Sequence, residues 1–399
     1  ANVKEIVWHS LESAKIMLDA LVDLTMQGYS GVSASEGLGE QKLILQQKLH
    51  ELSLLSNDIV GVSAGGDTTS NQDLYEYSKL SVEIYKEDFA NTAEKMGYKV
   101  IASTAVKEGL TGLKAAILEK DGMHILVIEG TNTKKPNKFS TFGDIITDIQ
   151  IIEQKPPKWQ LGALKKFVNQ AITTHKIDNI GIVVGHSSGG ELATLWGIKN
   201  GVPAIAYDPP GTREMAYTMY GKERSDAHDI TTIIGGDNVI SSNFVQIGKI
   251  IKLASSTKDC PTVSKVSTLT GIAEATTNLL KLTVPGITKE QAHNLALQPA
   301  LLSLFEQRLV CYHSIDNISK KLATVSQTGQ ELNVLSEFGG NLNNVIKDFS
   351  NYQEHKDWWN SAAVIIQKQI PEFREVPLEK LQDIIKHNLN KLEQNFNQK

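Results

Sequence analysis

Cysteine is nearly missing from this chain: Cys260 and Cys311 are the two in 399 residues. Two thiols cannot build a disulfide framework, and their scarcity is consistent with a reducing compartment without establishing one. Long apolar runs are missing as well. No stretch reaches the roughly 18 residues that a membrane-spanning helix needs. An excess of positive charge is also absent. The formal net charge is −5, so no broad basic face is available to neutralise phosphates, and this argues against nucleic-acid binding. No C-x-x-C or H-E-x-x-H spacing occurs, which argues against a metal hydrolase, and no cofactor is called for. The opening "ANVKEIVWHSLESAK" lacks the basic start and apolar centre of a signal peptide. It also lacks an initiator Met, which is compatible with removal of an upstream segment. Localisation is therefore left open between a secreted and a cytoplasmic protein.

What remains is ordinary globular material, with 41% hydrophobic and 21% charged residues, enough for a sizeable core. Residues 1–72 read as a helical N-terminal extension ending in a Ser-, Gly-, Asp- and Asn-rich linker. From residue 73 the texture changes to short apolar strands alternating with helices: "LKAAILE", "HILVIEG", "NIGIVVG", "PAIAYD" and "DITTIIGGD". Such alternation predicts an α/β domain over 73–325, with a mostly parallel central sheet covered by helices on both faces. A helical insertion is expected over about 253–310. Residues 326–399 are expected to form a helical C-terminal extension, whose last stretch "LEKLQDIIKHNLNKLEQ" is strongly amphipathic. That helix suits either docking at a membrane surface or packing on its own domain.

The most informative stretch is "NIGIVVGHSSGGELATLWG", Asn179 to Gly197. An apolar strand pattern stops at a Gly-His-Ser-Ser-Gly-Gly turn, and a helical pattern starts at once. Gly185, Ser187 and Gly189 satisfy G-x-S-x-G, the pattern of a serine held in a strained strand-to-helix turn. Ser187, centred between the glycines, is the candidate nucleophile. Ser188 is expected to contribute its backbone N–H to an oxyanion hole, with the helix N-terminus adding partial positive charge. The alternative is a tight turn with no chemistry.

Upstream, "HILVIEGTNTKKPNKFSTFGDIITDIQI" ends another apolar strand at Ile128-Glu129-Gly130-Thr131, and Asp144-Ile145-Ile146-Thr147-Asp148-Ile149 follows. Together with "GHSSGG", this resembles the class 3 (fungal-type) lipase family of the α/β-hydrolase fold. The resemblance covers roughly residues 75–320. It implies that Thr131 takes the second oxyanion-hole position and that the stretch after it corresponds to a lid. Three positions depart from the family pattern. Glu129 stands for the usual Arg, Ile145 for the usual Trp, and Ser188 for the common Leu. The lysines of the loop, Lys134, Lys135 and Lys138, are expected on a solvated face, with contact to anionic headgroups as the alternative.

A serine triad in this chain order requires an acid at the end of a later strand, then a histidine. Asp208, ending "PAIAYD", and Asp237, ending "ITTIIGGD", both qualify by position. Asp237 is favoured: it ends the strand one unit further along, and "GGDNVI" resembles the family's acid-bearing turn. Of the histidines after it, His293 falls within a helical pattern, His355 among charges and His387 on the polar-rich last helix. His313 follows an apolar run, and "HSIDNI" resembles the segment carrying the family's catalytic histidine, so His313 is the expected base. His186 is expected to be structural. The expected activity is a serine carboxylester hydrolase acting on lipid or phospholipid esters. A thioesterase, a non-lipid esterase and a non-catalytic binding protein on the same scaffold are the alternatives.

Overall fold

A computed structural model describes residues 70–104, 113–130, 157–255, 257, 260, 286 and 288–397. The expected N-terminal helices, Thr131 and the lid-like segment through Ile149 lie outside the described residues. The described chain runs α1 (Asn71–Glu83), α2 (Phe89–Lys95), β1 (Lys99–Ser103), β2 (Ala115–Lys120) and β3 (Met123–Ile128). It continues as α3 (Pro157–His175), β4 (Ile182–His186), α4 (Ser188–Asn200), β5 (Ala204–Tyr207), α5 (Arg213–Tyr220) and α6 (Lys222–Ala227). Then come β6 (Ile230–Ile234), α7 (Val239–Asn243), β7 (Lys249–Lys252), α8 (Lys289–His313) and α9 (Ile315–Thr328). The last part holds β8 (Asn333–Leu335), α10 (Asn343–Ser350), α11 (Lys356–Gln369), a single 3-10 turn (Pro371–Phe373) and α12 (Leu378–Asn397).

The eight strands lie side by side in chain order. The four pairings from β3 to β7 are parallel, while β1–β2, β2–β3 and β7–β8 are antiparallel. The expected α/β architecture, a largely parallel sheet between helices, is therefore present. Its two faces follow from the period of two along each strand. On β4, Ile182 and Val184 pack with Leu74 and Leu80 of α1, with Ile84 just after it, and with Ile315, Ile318 and Leu322 of α9. Val183, between them, packs on the opposite face with Leu164 and Val168 of α3 and Leu192 and Trp196 of α4. A strand buried on both faces has no polar side to show, which is why "GIVV" reads as a continuous apolar run.

Local signals set several helix starts. The Ser70 hydroxyl accepts the Asp73 N–H at 3.1 Å while the Asp73 carboxylate accepts the Ser70 N–H at 3.2 Å. Thr288 and Gln291 form the same reciprocal cap at the start of α8.

The C-terminal stretch, expected to be helical, contributes a strand as well as helices. Asn333–Leu335 joins the sheet against β7, and α10, α11 and α12 bury Phe349, Trp359, Leu381, Ile385 and Leu389 against Leu304 and Phe305 of α8. The apolar stripe of α12 therefore packs on its own domain. Arg308 of α8 is clamped in this layer. Its guanidinium lies 4.3 Å from the Trp358 ring centre and donates to the Asp348 carbonyl at 3.2 Å. Because α8 ends on His313, the C-terminal layer holds the helix that carries the expected base. Among the described residues, no helix is long and apolar enough to cross a membrane.

Candidate active site

Ser187 occupies the turn between β4 and α4 with φ 59° and ψ −127°, a conformation that a residue with a Cβ adopts at a cost of about 1–3 kcal/mol. Such strain survives only where the surroundings enforce it. The Ser187 N–H donates to the Tyr207 carbonyl of β5 at 3.0 Å, and the Ser187 carbonyl accepts from Gly190 at 2.9 Å and Glu191 at 3.2 Å. Both flanking glycines are required by close approach. A Cβ on Gly185 would overlap the Gly189 carbonyl, and one on Gly189 would lie 2.5 Å from the Ile128 carbonyl oxygen and 2.9 Å from the Gly130 nitrogen. The G-x-S-x-G spacing thus has a steric cause, and the end of β3 is pressed against the serine turn.

His313, the last residue of α8, brings its Nε2 to 3.0 Å from Ser187 Oγ. Its Nδ1 lies 2.5 Å from Asp208 Oδ2. A carboxylate only accepts, so the neutral imidazole carries its proton on Nδ1 and leaves Nε2 to take one from the serine. Asp208 is fully buried and also receives the Gly235 N–H at 2.9 Å and Asn238 Nδ2 at 2.8 Å. Three donors on one buried carboxylate compensate the cost of burying its charge.

Asp208, and not the Asp237 that the sequence favours, faces the histidine. The reason is lateral order in the sheet. β5 is the immediate neighbour of β4, in a register that pairs His186 with Tyr207, so residue 208 follows beside residue 187. β6 is one strand further out, which moves Asp237 about 5 Å further from the serine. Asp237 instead pairs with Lys252, its two oxygens at 3.0 and 3.1 Å from the ammonium. It lines a separate polar cleft of about 730 Å³ with Lys252, Lys321 and Asp348. Burial pushes its carboxyl up, and Lys252 partly offsets this.

The remaining histidines have other partners. His293 is buried, not at the surface, with its ring 5.2 Å from Phe373. His355 bonds Asp348 at 2.9 Å and Thr257 at 3.4 Å, and His387 is exposed. One ligand-capable atom each of Asp348, Glu354 and His355 lies within 4.8 Å of the others, the His355–Asp348 bond being one of these contacts. Ser188 is the first residue of α4, so its amide lies in the first turn of that helix, where the N–H groups have no partner within the helix ladder itself. Thr131 lies outside the described residues. Its neighbour Gly130 is so placed that a Cβ there would come 3.2 Å from Ser187 Cβ. Glu129, where the family pattern has Arg, is buried 3.5 Å from the Lys114 ammonium.

Sequence reasoning missed Asn238. Its Nδ2 holds Asp208 and the Gly236 carbonyl, while its Oδ1 caps α7 by accepting from Ile240 and Ser241. A helix-capping Asn was foreseeable, whereas its grip on an acid thirty residues earlier was not. The cysteines were also misjudged, since Cys260 and Cys311 form a disulfide. It ties the segment after β7 to the last turn of α8, two residues before His313. Closing a loop of 51 residues constrains the unfolded chain by about 4 kcal/mol. The Cys260→Ser variant is thus expected to melt well below the native chain, and reductant to lower the native melting temperature but not that of the variant. Identical melting of native protein with and without reductant would show that the bond contributes nothing.

No family model and no curated protein matches the chain. Among solved structures it is similar to the Rhizomucor miehei lipase propeptide complex. A two-residue deletion mutant of that complex aligns at 13% identity over 50% of this chain and 76% of the other, with a TM-score of 0.34. The native form aligns at 12% identity over 52% and 80%, with a TM-score of 0.33.

Proposed function

We propose that the chain is a serine carboxylester hydrolase of the α/β-hydrolase fold, with Ser187 as nucleophile, His313 as general base and Asp208 as the acid that orients it. The observation that carries this reading is the continuous Oγ–Nε2 and Nδ1–carboxylate connection through His313, built on a serine in strained backbone conformation. Ser187 Oγ attacks the acyl carbonyl as Nε2 takes its proton. The imidazolium, held by Asp208, returns that proton to the leaving alkoxide. Water then cleaves the acyl-enzyme by the same relay. The Ser188 amide, together with that of Thr131, holds the oxyanion, each donor contributing about 3 kcal/mol.

Lipid or phospholipid esters are the proposed substrates, on the strength of the Glu129-Gly130-Thr131 and Gly-His-Ser-Ser-Gly motifs. The disulfide favours an oxidising compartment, and with it the secreted rather than the cytoplasmic alternative. A fluorophosphonate probe is expected to label the native chain and to leave Ser187→Ala unlabelled. Failure of the native chain to label would instead favour a non-catalytic binding protein. A lipid panel read by mass spectrometry, with Ser187→Ala as control, separates lipid hydrolysis from general esterase or thioesterase activity.

A further inference from the structure

We propose that Tyr85 and His186 are positioning residues, forming a buried one-way hydrogen-bond relay that locks the backbone of the base His313 to the oxyanion-side turn at Gly130. The inference rests on the hydrolase reading above and adds two residues to it. His186 is the residue just before the nucleophile, yet its side chain leads away from Ser187 Oγ. Its Nε2 lies 2.6 Å from the His313 carbonyl oxygen, and its Nδ1 lies 2.8 Å from Tyr85 Oη.

The direction of each bond follows from what each partner can do. A carbonyl only accepts, so Nε2 must carry a proton and donate it. In the neutral ring Nδ1 is then a lone pair, so it accepts, and the Tyr85 hydroxyl must donate. The Tyr85 oxygen is itself seated against the turn after β3, where a Cβ on Gly130 would overlap it. The chain therefore reads Tyr85 O–H to His186 to His313 C=O, packed at its far end on Gly130, with one consistent set of protons.

Both links stay neutral for a physical reason. Burial, and then the neighbouring His313, hold the His186 pKa well below the usual imidazole range. Burial, and then Glu129, hold the Tyr85 phenol well above its ordinary value. A neutral His186 matters because the two imidazole rings lie 4.6 Å apart. A charged neighbour at that distance would oppose the imidazolium that His313 must form during catalysis. The relay is also sterically closed, since a Cβ on Gly130 would overlap both the Tyr85 hydroxyl and the His186 carbonyl. Four separate segments thus meet in it: the turn after α1, the turn after β3, the end of β4 and the end of α8. Through it the oxyanion side and the base are fixed relative to one another, an alignment on which turnover depends steeply.

The test is the Tyr85→Phe variant, which keeps the ring and removes the hydroxyl. With a p-nitrophenyl ester, kcat is expected to fall by about tenfold to a hundredfold with KM within about twofold, because alignment and not substrate binding is lost. His186→Gln keeps an N–H able to reach the His313 carbonyl and is expected to retain more activity than His186→Leu. In histidine-labelled native protein, the nitrogen shifts of His186 are expected to show a protonated Nε2 and an unprotonated Nδ1, a readout that needs no variant to fold. A labelled, active native enzyme whose Tyr85→Phe variant matches it in kcat overturns the relay alone, as does a His186 protonated on Nδ1. A native chain that fails to react with the fluorophosphonate overturns the hydrolase reading, and the relay with it.

Discussion

Asp208→Asn is expected to lower kcat/KM for an ester substrate by about ten-thousandfold, while Asp237→Asn stays within about threefold of the native enzyme. The large effect follows from geometry. An Asn at position 208 offers either an amide N–H or a neutral carbonyl to His313 Nδ1. The first leaves the imidazole in the wrong tautomer, and the second fails to stabilise the imidazolium, a loss of about 10⁴ in turnover where this acid has been neutralised. Gly235 and Asn238 donate to different oxygens of Asp208, so the one carbonyl oxygen of an Asn keeps only one of these bonds and its NH2 meets the other donor, which adds a structural cost to the chemical one. Asp237 is different. Its partner Lys252 is 24% exposed, so water takes up most of the charge left behind, and an ion pair near the surface contributes at most about 1 kcal/mol. Steady-state turnover of both variants decides the matter. A dead Asp237→Asn beside an active Asp208→Asn would return the acid to the residue that the motif resemblance favours.

That reversal shows which parts of the site were legible in the sequence. The elbow was, because all its requirements are local: a strand that stops, a residue between two glycines, and a helix that starts at once. Gly185 and Gly189 sit where a Cβ would strike backbone, and steric demands of this kind leave a mark at fixed spacing. That a serine, an aspartate and a histidine would meet in this chain order was legible too, and Ser187, Asp208 and His313 do lie together. The choice between Asp208 and Asp237 was not local. Each ends an apolar strand, and only the side-by-side order of β4, β5 and β6 separates them. Consecutive strands tend to be neighbours, whereas the sequence reading favoured the strand one unit further along and the resemblance of "GGDNVI".

The remaining contacts join residues that no window along the chain sees together. Tyr85 and His186 are 101 positions apart, and Cys260 and Cys311 are 51 apart. β8 escaped for a different reason. Its three residues are exposed or half-buried at the sheet edge, too few to display an alternation of any kind. The helices after it read correctly as helices, yet their role was hidden. Whether an amphipathic stripe meets a membrane or its own domain depends on the partner surface, here the α8 residues Leu304 and Phe305.

Glu191 should make the fold lose stability as the pH rises, the reverse of the usual carboxylate behaviour. It lies in the first turn of α4, four residues after Ser187, and is 6% exposed. Burial pushes its carboxyl up from 4.5 to about 8, although a helix N-terminus by itself favours the charged form. The folded state therefore holds this proton more tightly than the unfolded state does. The stabilisation is complete below pH 4.5 and is lost progressively as the pH climbs through about 8. A shift of that size corresponds to about 5 kcal/mol once the group is ionised in both states. Glu191→Gln removes the titration while nearly keeping the shape. Its unfolding free energy relative to the native chain should therefore improve steadily between pH 5 and pH 9. Denaturant titrations of both proteins at pH 5, 7 and 9 measure this directly, and the comparison cancels the other groups that titrate, His186 and His228 among them. Two parallel stability curves would mean that Glu191 is ionised in the folded protein, with a partner that stabilises its charge.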